Sequence, residues 1–205
     1  MPEPFQRLTA VAVPLDDANI DTGRIFPSRF LRKPRSAGYH NFLFRDARFD
    51  PDGNERPDFI LNRAPYRAAR IAVTGPNFAC GSSRESAVYA FVDAGFRCIV
   101  AASFGEIFFS NCFRNGLLPV VLPAQDVIAL RQQLHERPGA GMTVDLEAQT
   151  VCGPDGRELH FDIDSARMLR LVKGLDDAAL ALEYVAQIEA FETRHFKCWP
   201  WAAAR

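Results

Sequence analysis

The stretch RIAVTGPNFACGSSRESAVYAFVDAGFRCIVAASFGEIFFSNCFRNGLLPVVL, residues 70–122, alternates short apolar runs with segments of helical periodicity. Three apolar runs predict strands, at residues 70–74, 96–101 and 117–122. Two segments with apolar residues at helical spacing predict helices, at residues 86–94 and 103–115, and each stops before a glycine. Strands joined by helices through short connections are typical of right-handed parallel crossovers, so this stretch predicts the parallel sheet of an α/β protein.

Upstream of this core, residues 8–15 predict an early strand, whose Pro14 confines its end to an edge or a terminus. From residue 16 to about residue 67 the periodicity is weak, but phenylalanines recur and need burial. Long ordered loops of this kind tend to carry function. We therefore expect short helices and an ordered surface loop in this segment.

Downstream, residues 125–137 predict a helix, and residues 142–163 predict a hairpin around the turn signal GPDG. Two closing helices are predicted at residues 164–173 and from residue 176 to about residue 195. Each begins with an aspartate suited to capping. A chain of 205 residues is long enough for one buried core, and we expect one domain over residues 1–205 with a C-terminal helical extension.

The composition narrows the classes of function. Lysine and arginine total 24 against 25 aspartates and glutamates, so no general attraction to nucleic acid or an acidic membrane is expected. No apolar run approaches the ~20 residues that span a bilayer, and the N-terminus does not resemble a signal peptide, which predicts a cytoplasmic protein. The five scattered cysteines predict reduced thiols, and no metal-ligand spacing is visible on this chain.

The sequence GSSRE, residues 81–85, allows two interpretations. Ser82 to Glu85 fits the capping box S-x-x-E, as do Ser103 to Glu106, and both predict ordinary helix starts. Alternatively, Gly81 frees N–H groups at a helix start and Arg84 adds a forked cation. Because the stretch follows a predicted parallel strand, where α/β sheets place ligands, these features predict an anion pocket.

Two rival sites are weaker. A nucleotide P-loop needs four residues between its glycines and a lysine after the second, whereas five residues separate Gly75 from Gly81 and Ser82 takes the lysine position. Cys80 could be a nucleophile near a helix N-terminus, but no histidine is near in sequence. A packed thiol is the favoured interpretation of Cys80.

Longer motifs extend the pattern. Three longer stretches resemble the small subunits of isopropylmalate dehydratases, which are relatives of the aconitase swivelling domain. They are NFACGSSRESA at residues 77–87, ASFGEIFFSNCFRNGLLPV at 102–120 and VPLDDANIDTGRIFPSRFL at 13–31. The resemblance covers nearly the whole chain. It implies a β/β/α swivelling fold, with a parallel sheet, a smaller antiparallel sheet and flanking helices. It also implies a large partner subunit that carries a [4Fe–4S] cluster on its own cysteines.

The reaction that the resemblance implies is the isomerisation of 2-isopropylmalate and 3-isopropylmalate by dehydration and rehydration, in leucine biosynthesis. Ser82 maps to the catalytic base. The implied substrate is a small dicarboxylate, and Ser83 and Arg84 map to residues that contact one of its carboxylates. Glu85 maps mainly to a capping role. A serine base needs its alkoxide stabilised by Arg84 and helix N–H groups. Ser82 is free for this role if Ser83 occupies the cap instead.

A second region corresponds to the part of the family that varies with the substrate side chain. It is PRSAGYHNFLF, residues 34–44, in which Gly38, Tyr39 and Phe42 could form an apolar wall for an isopropyl group. A surface loop anchored by aromatic residues is the alternative interpretation.

The chain departs from the family pattern at three positions. Ala79 stands where the family has glycine, Ser86 where it has histidine and Gly23 where it has a second aspartate. Ser86 is expected at the third or fourth helical position. These departures leave two alternatives open: a related hydro-lyase subunit acting on an acid such as (R)-2-methylmalate or citraconate, and a non-catalytic domain that binds a dicarboxylate or a partner.

Overall fold

The computed structural model describes residues 2–203 and contains one mixed sheet. Its strands are β1 (Arg7–Leu15), β2 (Ile71–Thr74), β3 (Cys98–Ala101), β4 (Leu118–Val121), β5 (Gly141–Asp145), β6 (Thr150–Cys152) and β7 (Glu158–His160). They are arranged in the order β4-β3-β2-β1-β5-β6-β7. The strands β1 to β4 pair in parallel, and β1, β5, β6 and β7 pair antiparallel.

The helices lie between and after the strands. They are α1 (Thr22–Ile25), α2 (Arg45–Arg48), α3 (Glu85–Asp93), α4 (Glu106–Arg114), α5 (Ala124–Glu136), α6 (Ser165–Lys173), α7 (Asp177–Leu182) and α8 (Val185–Cys198). Short 3₁₀ turns occupy Ser28–Phe30, Arg35–Ala37, Tyr39–Asn41, Ile60–Asn62, Ala64–Tyr66 and Pro200–Ala202. Within the described residues, no helix is both long and apolar enough to cross a bilayer.

Strand β1 joins the parallel and antiparallel halves. Its second half, from Ala12, pairs in parallel with β2, and its first half, up to Val11, pairs antiparallel with β5. The predicted parallel and antiparallel sheets are therefore confirmed, but they are continuous through a shared strand. Pro14 lies near the end of β1, beyond the part that pairs with β5, so the missing N–H of proline costs no ladder bond there.

The core has one layer on each face of the parallel strands, because successive side chains of a strand point to opposite faces. On one face Val13, Ala72 and Ile99 pack with residues of α3 and of the segment 16–67. On the other face Ile71 and Val100 pack with side chains from α5, α6 and the antiparallel strands. Both faces are covered, which explains why every residue of β2 and β3 is buried.

The segment 16–67 contains the expected short helices and turns, but it is more than a surface loop. Phe26, Tyr39, Leu43 and Phe44 are buried in the core layer beside α3. Aromatic rings contact one another throughout this layer, as Phe44 does with Phe91 of α3 at 5.8 Å between centroids. The phenylalanines that recur in the sequence are therefore the apolar cover of one sheet face.

Two sequence predictions about the C-terminal third are wrong in detail. The predicted hairpin at residues 142–163 is a three-stranded meander, because the chain also turns between β5 and β6, where Gln149 has a positive φ of 54°. The second of the two predicted closing helices, from residue 176 to about residue 195, is split into α7 and α8 near Tyr184. The aspartate caps are confirmed: Asp164 accepts from Arg167 N and Asp176 accepts from Ala179 N.

Candidate functional site

The loop of residues 75–84 leaves the carboxyl end of β2 and leads into α3. Its neighbours at the same edge are the segment after β1 and the segment after β3, because the carboxyl ends of parallel strands share one edge of the sheet. The topology therefore confirms that GSSR lies at the carboxyl edge of the parallel strands, and the binding of a ligand at this edge stays a prediction.

Backbone hydrogen bonds hold this loop from both sides. On the β1 side, Thr22 N donates to Cys80 O at 3.0 Å and Asn19 N donates to Pro76 O at 3.0 Å. On the β3 side, Phe78 N donates to Ser103 O at 3.0 Å, and Gly105 N donates to Phe78 O at 2.8 Å. A loop anchored on two sides keeps its backbone fixed, so groups at its tip are presented in a preorganised arrangement.

The side chain of Thr22 adds a further anchor. Thr22 is 3% exposed, and its hydroxyl donates to the carbonyl of Ser82 at 2.8 Å. The same residue thus holds the backbone of Cys80 through its N–H and the backbone of Ser82 through its hydroxyl. Thr22 was not among the residues that the sequence singled out, because its partner is 60 positions away in the chain.

The loop contains strained backbone. Gly81 has a φ of 91°, and a glycine there avoids the steric cost of the left-handed region. Ala79 also has a positive φ, of 57°, and is 2% exposed. An alanine in the left-handed region costs roughly 1–2 kcal/mol, which gives a physical reason for the family's glycine at this position.

Neither predicted capping box forms. Helix α3 begins at Glu85 with Arg84 as its N-cap, and α4 begins at Glu106 with Gly105 as its N-cap, both without a side-chain cap bond. Neither Ser82 nor Ser83 caps α3, so the predicted competition between capping and proton transfer does not arise. Because α3 starts at Glu85, Ser86 is its second residue, earlier than expected.

Ser82 and Ser83 are exposed at the tip of the loop, and Arg84 is half-buried behind them. Within residues 2–203, the backbone N–H groups of these three residues donate to no protein acceptor. Unpaired N–H groups before a helix start attract anions, and the helix dipole adds to this attraction. The structure thus brings together two hydroxyls, three N–H groups and a guanidinium on an open surface.

Arg84 carries a charge that no carboxylate of the described chain neutralises, because it forms no ion pair among residues 2–203. Its Nη1 donates to the carbonyl of Phe26 at 3.3 Å, at the end of α1. A guanidinium presents five donors in a fork, so this bond leaves others for a carboxylate.

Glu85 plays a different part from the one predicted. Its carboxylate accepts from Asn115 Nδ2 at 2.9 Å, which connects the start of α3 to the end of α4. Burial raises the pKa of the nearby Tyr89, and the charge of Glu85 adds to this rise. Glu85 is therefore a structural acceptor and a neighbour of Tyr89, and its predicted capping role is wrong.

The region of residues 34–44 is ordered by aromatic contacts. Gly38 has a φ of 83° between two 3₁₀ turns. Tyr39 is buried, its hydroxyl donates to Lys33 O at 2.8 Å, and its ring lies 4.7 Å from that of Phe26. Phe42 stacks on Phe30 with 4.2 Å between centroids and lines a pocket of about 570 Å³.

Phe26 connects this aromatic cluster to the GSSR turn, because its ring contacts Tyr39 and its carbonyl accepts from Arg84. Each of five pockets on the described surface is lined by residues other than Ser82, Ser83 and Arg84. Ser82 and Ser83 are exposed and, together with Arg84, lie outside these five pockets.

The cysteines are free thiols. Cys98 and Cys112 are buried, and burial raises the pKa of each thiol. Cys80 is half-buried, and its Sγ lies 3.6 Å from Asn19 O in the position of a weak donor. Among residues 2–203, no group of three or more histidine, cysteine, aspartate or glutamate side chains could hold a metal ion.

Comparison with known proteins identifies the family. The model of the aconitase C-terminal domain matches residues 2–125, and the model named LeuD_N matches residues 129–165. The chain is 47% identical over 199 residues to the 3-isopropylmalate dehydratase small subunit of Dinoroseobacter shibae, covering 97% of this chain and 99% of that protein. It is also 47% identical to that of Gluconacetobacter diazotrophicus, covering 97% and 96%.

A solved structure supports the fold. The crystal structure of 3-isopropylmalate dehydratase from Methanocaldococcus jannaschii matches with a TM-score of 0.62 at 19% identity, covering 92% of this chain and 99% of that chain. At this identity the likeness concerns the fold alone. The near-complete coverage of the sequence relatives and the match to the aconitase C-terminal domain show that the chain belongs to the family of 3-isopropylmalate dehydratase small subunits, within the aconitase superfamily.

Proposed function

We propose that this chain is the small subunit of a cytoplasmic 3-isopropylmalate dehydratase, a hydro-lyase that interconverts 2-isopropylmalate and 3-isopropylmalate in leucine biosynthesis. The observation that carries the proposal is the near full-length identity to curated small subunits of this enzyme. The open half-site formed by Ser82, Ser83 and Arg84 supports it, because such a site needs a companion surface.

In this proposal Ser82 is the base that removes the proton from the carbon next to a substrate carboxylate. Its hydroxyl is exposed, and the carbonyl of the same residue is fixed by Thr22. Ionisation of a serine hydroxyl is unfavourable in water, so the alkoxide requires nearby positive charge and exclusion of solvent. Arg84 and the unpaired N–H groups supply the positive potential, and the partner's surface excludes water.

Ser83 and Arg84 bind a carboxylate of the substrate. Arg84 has no carboxylate partner in the described part of the chain, so its charge is available. A carboxylate held by a guanidinium and backbone N–H groups forms short, charge-assisted hydrogen bonds, which orient the acid relative to Ser82. Gly38, Tyr39 and Phe42 are proposed to set the side chain that the site accepts, through the aromatic cluster that ends at Phe26.

The partner is proposed to be a large subunit that carries a [4Fe–4S] cluster on its own cysteines. When bound there, the cluster supplies Lewis-acid assistance to the departure of the substrate hydroxyl. The small subunit contributes the base and the carboxylate contacts. On this account the isolated chain contains no iron and has no activity.

Anaerobic co-expression with the large subunit encoded by the same genome tests this function. The complex should form isopropylmaleate from either isopropylmalate, followed by ultraviolet absorbance, whereas each subunit alone should not. Citraconate and (R)-2-methylmalate are assayed in parallel, because a preference for them would assign the chain to the related hydro-lyase. A stable complex that turns over none of these acids would contradict the proposal and favour a non-catalytic binding domain.

A further inference from the structure

Gly23 lies inside α1, the helix that anchors the GSSR turn. Its φ is not among the positive values of this chain, so the backbone conformation does not require glycine. Glycine inside a helix costs about 1 kcal/mol relative to alanine. A glycine at this position therefore needs another physical reason.

The reason is space. A Cβ at position 23 would lie 2.8 Å from Nη1 of Arg84, 2.9 Å from Oδ1 of Asp21 and 3.6 Å from Cζ of Arg84. Real Cβ atoms are not found this close to a nitrogen. In this chain the guanidinium of Arg84 and the carboxylate of Asp21 thus occupy the volume that a Cβ at position 23 would fill, so the family's aspartate requires a different placement of these groups.

This packing fixes one end of Arg84. The Nη1 atom of Arg84 lies against the backbone of Gly23 and donates to the carbonyl of Phe26. In the same short segment, Thr22 donates to the carbonyl of Ser82. Helix α1 consequently contacts both functional parts of the turn. Through Thr22 it holds the backbone of Ser82, the proposed base, and at Gly23 it contacts the side chain of Arg84, which is proposed to bind the substrate carboxylate.

We infer that Gly23 is a positioning residue that sets where the guanidinium of Arg84 meets the substrate carboxylate. This inference rests on the proposed function and deepens it. A methyl group at position 23 pushes the guanidinium away from α1, because the end of a flexible side chain yields before backbone does. The same methyl group would lie 2.9 Å from Oδ1 of Asp21, the N-cap of α1, so this carboxylate must also shift, while the higher helix propensity of alanine offsets part of the cost.

Gly23→Ala tests the inference in the assembled complex. The expected result is a KM about tenfold higher with kcat changed less than about threefold, because a displaced carboxylate contact weakens the binding of ground and transition states alike. The melting temperature should change by only a few degrees, because the weakening of the Asp21 cap is opposed by the higher helix propensity of alanine. A KM equal to that of the wild type would overturn the inference.

A double-mutant cycle shows whether the effect passes through Arg84. Arg84→Lys removes the forked head that contacts Gly23, so adding Gly23→Ala to Arg84→Lys should change KM by less than about twofold. If the two changes multiply instead, Gly23 acts independently of Arg84, and the inference is wrong.

A readout without turnover separates this inference from the proposed function. In the full chain labelled with ¹⁵N-arginine, Gly23→Ala should shift the side-chain resonance that disappears in Arg84→Lys, and leave the other arginine resonances in place. An unchanged Arg84 resonance refutes the positioning role whatever the activity. If the wild-type complex turns over no acid while this resonance shifts, the function has failed and the contact between Gly23 and Arg84 stands.

Discussion

Ser82 and Ser103 occupy the same sequence pattern, S-x-x-E, and each follows a parallel strand, yet the fold uses them in opposite ways. The hydroxyl of Ser103 accepts from Asn77 N at 2.8 Å, and its carbonyl accepts from Phe78 N. Ser82 contributes only its carbonyl to the structure, as the acceptor for Thr22. One serine stabilises the loop, and the hydroxyl of the other is left exposed without a protein partner among the described residues.

This contrast shows that the motif S-x-x-E alone does not determine whether its serine stabilises the fold or remains free for a chemical role. Tertiary partners decide it, because the hydroxyl of Ser103 accepts from the backbone of Asn77, whereas Ser82 is exposed and its hydroxyl has no hydrogen-bond partner within residues 2–203. If the contrast is correct, substitutions at the two serines should separate activity from stability, and the five changes below test it in order of expected effect.

The largest effect is expected for Ser82→Ala. A positioned base contributes about 10²- to 10⁴-fold to the rate, so kcat of the assembled enzyme should fall by that factor. The free energy of unfolding should change by less than about 0.5 kcal/mol, because the hydroxyl is exposed. Steady-state kinetics and urea denaturation measure the two quantities.

Ser83→Ala is the matched control for Ser82→Ala, because Ser83 is one residue away and is also exposed. A carboxylate contact removed from Ser83 should raise KM and leave kcat much closer to the wild-type value. If Ser83→Ala lost the larger part of kcat, the base would be Ser83, and the roles of the two serines would have to be exchanged.

Thr22→Val is expected to affect both properties. The substitution keeps the shape of the buried side chain but leaves the carbonyl of Ser82 without its donor, at a cost of about 1–3 kcal/mol in stability. Because the same bond fixes the turn, kcat should also fall, by about tenfold. Thr22→Ser retains the hydroxyl and should recover most of the activity, measured on the same complex.

Ser103→Ala should show the reverse of Ser82→Ala. Loss of the acceptor for Asn77 N should lower the free energy of unfolding by about 1 kcal/mol. The kcat of the complex should stay within a few-fold of the wild type, since Ser103 is on the structural side of the loop. A loss of kcat as large as that of Ser82→Ala, with unchanged stability, would remove the distinction between the two serines.

The smallest effect is expected for Ala79→Gly. Relief of the left-handed backbone at Ala79 should raise the free energy of unfolding by about 1 kcal/mol, partly offset by the greater freedom of glycine in the unfolded chain. Differential scanning calorimetry should show a melting temperature a few degrees higher, with kcat unchanged. A lower melting temperature would show that the backbone at residue 79 is not under strain.

Local sequence signals predicted the parts of the fold that local physics decides. Three kinds of feature follow from residues within one turn of their position. They are the strands β2 to β4, the helix ends at Gly95 and Gly116, and the helix caps at Asp164 and Asp176. The extra turn at Gln149 was missed, because a non-glycine residue adopts the left-handed conformation there. The break near Tyr184 occurs without a proline or glycine to mark it.

The candidate site was predictable only in part. The motif and its family resemblance indicated Ser82, Ser83 and Arg84, and the topology confirms their position at the carboxyl edge of the parallel strands. Two supporting residues contact positions that are distant in sequence: Thr22 contacts Ser82, and Asn115 contacts Glu85. No local sequence pattern marks either residue. The same holds for Gly23, whose space is filled by Arg84.

The proton that Ser82 is proposed to carry gives the most direct measurement. The complex hydrates isopropylmaleate in D₂O, and mass spectrometry or NMR follows the appearance of deuterium on the carbon next to the carboxylate. The wild type should incorporate one deuteron per turnover, and Ser82→Ala should do so at least about 10²-fold more slowly while Ser103→Ala stays within a few-fold of the wild type. Deuterium incorporation by Ser82→Ala at the wild-type rate would contradict the assignment of the base to this turn.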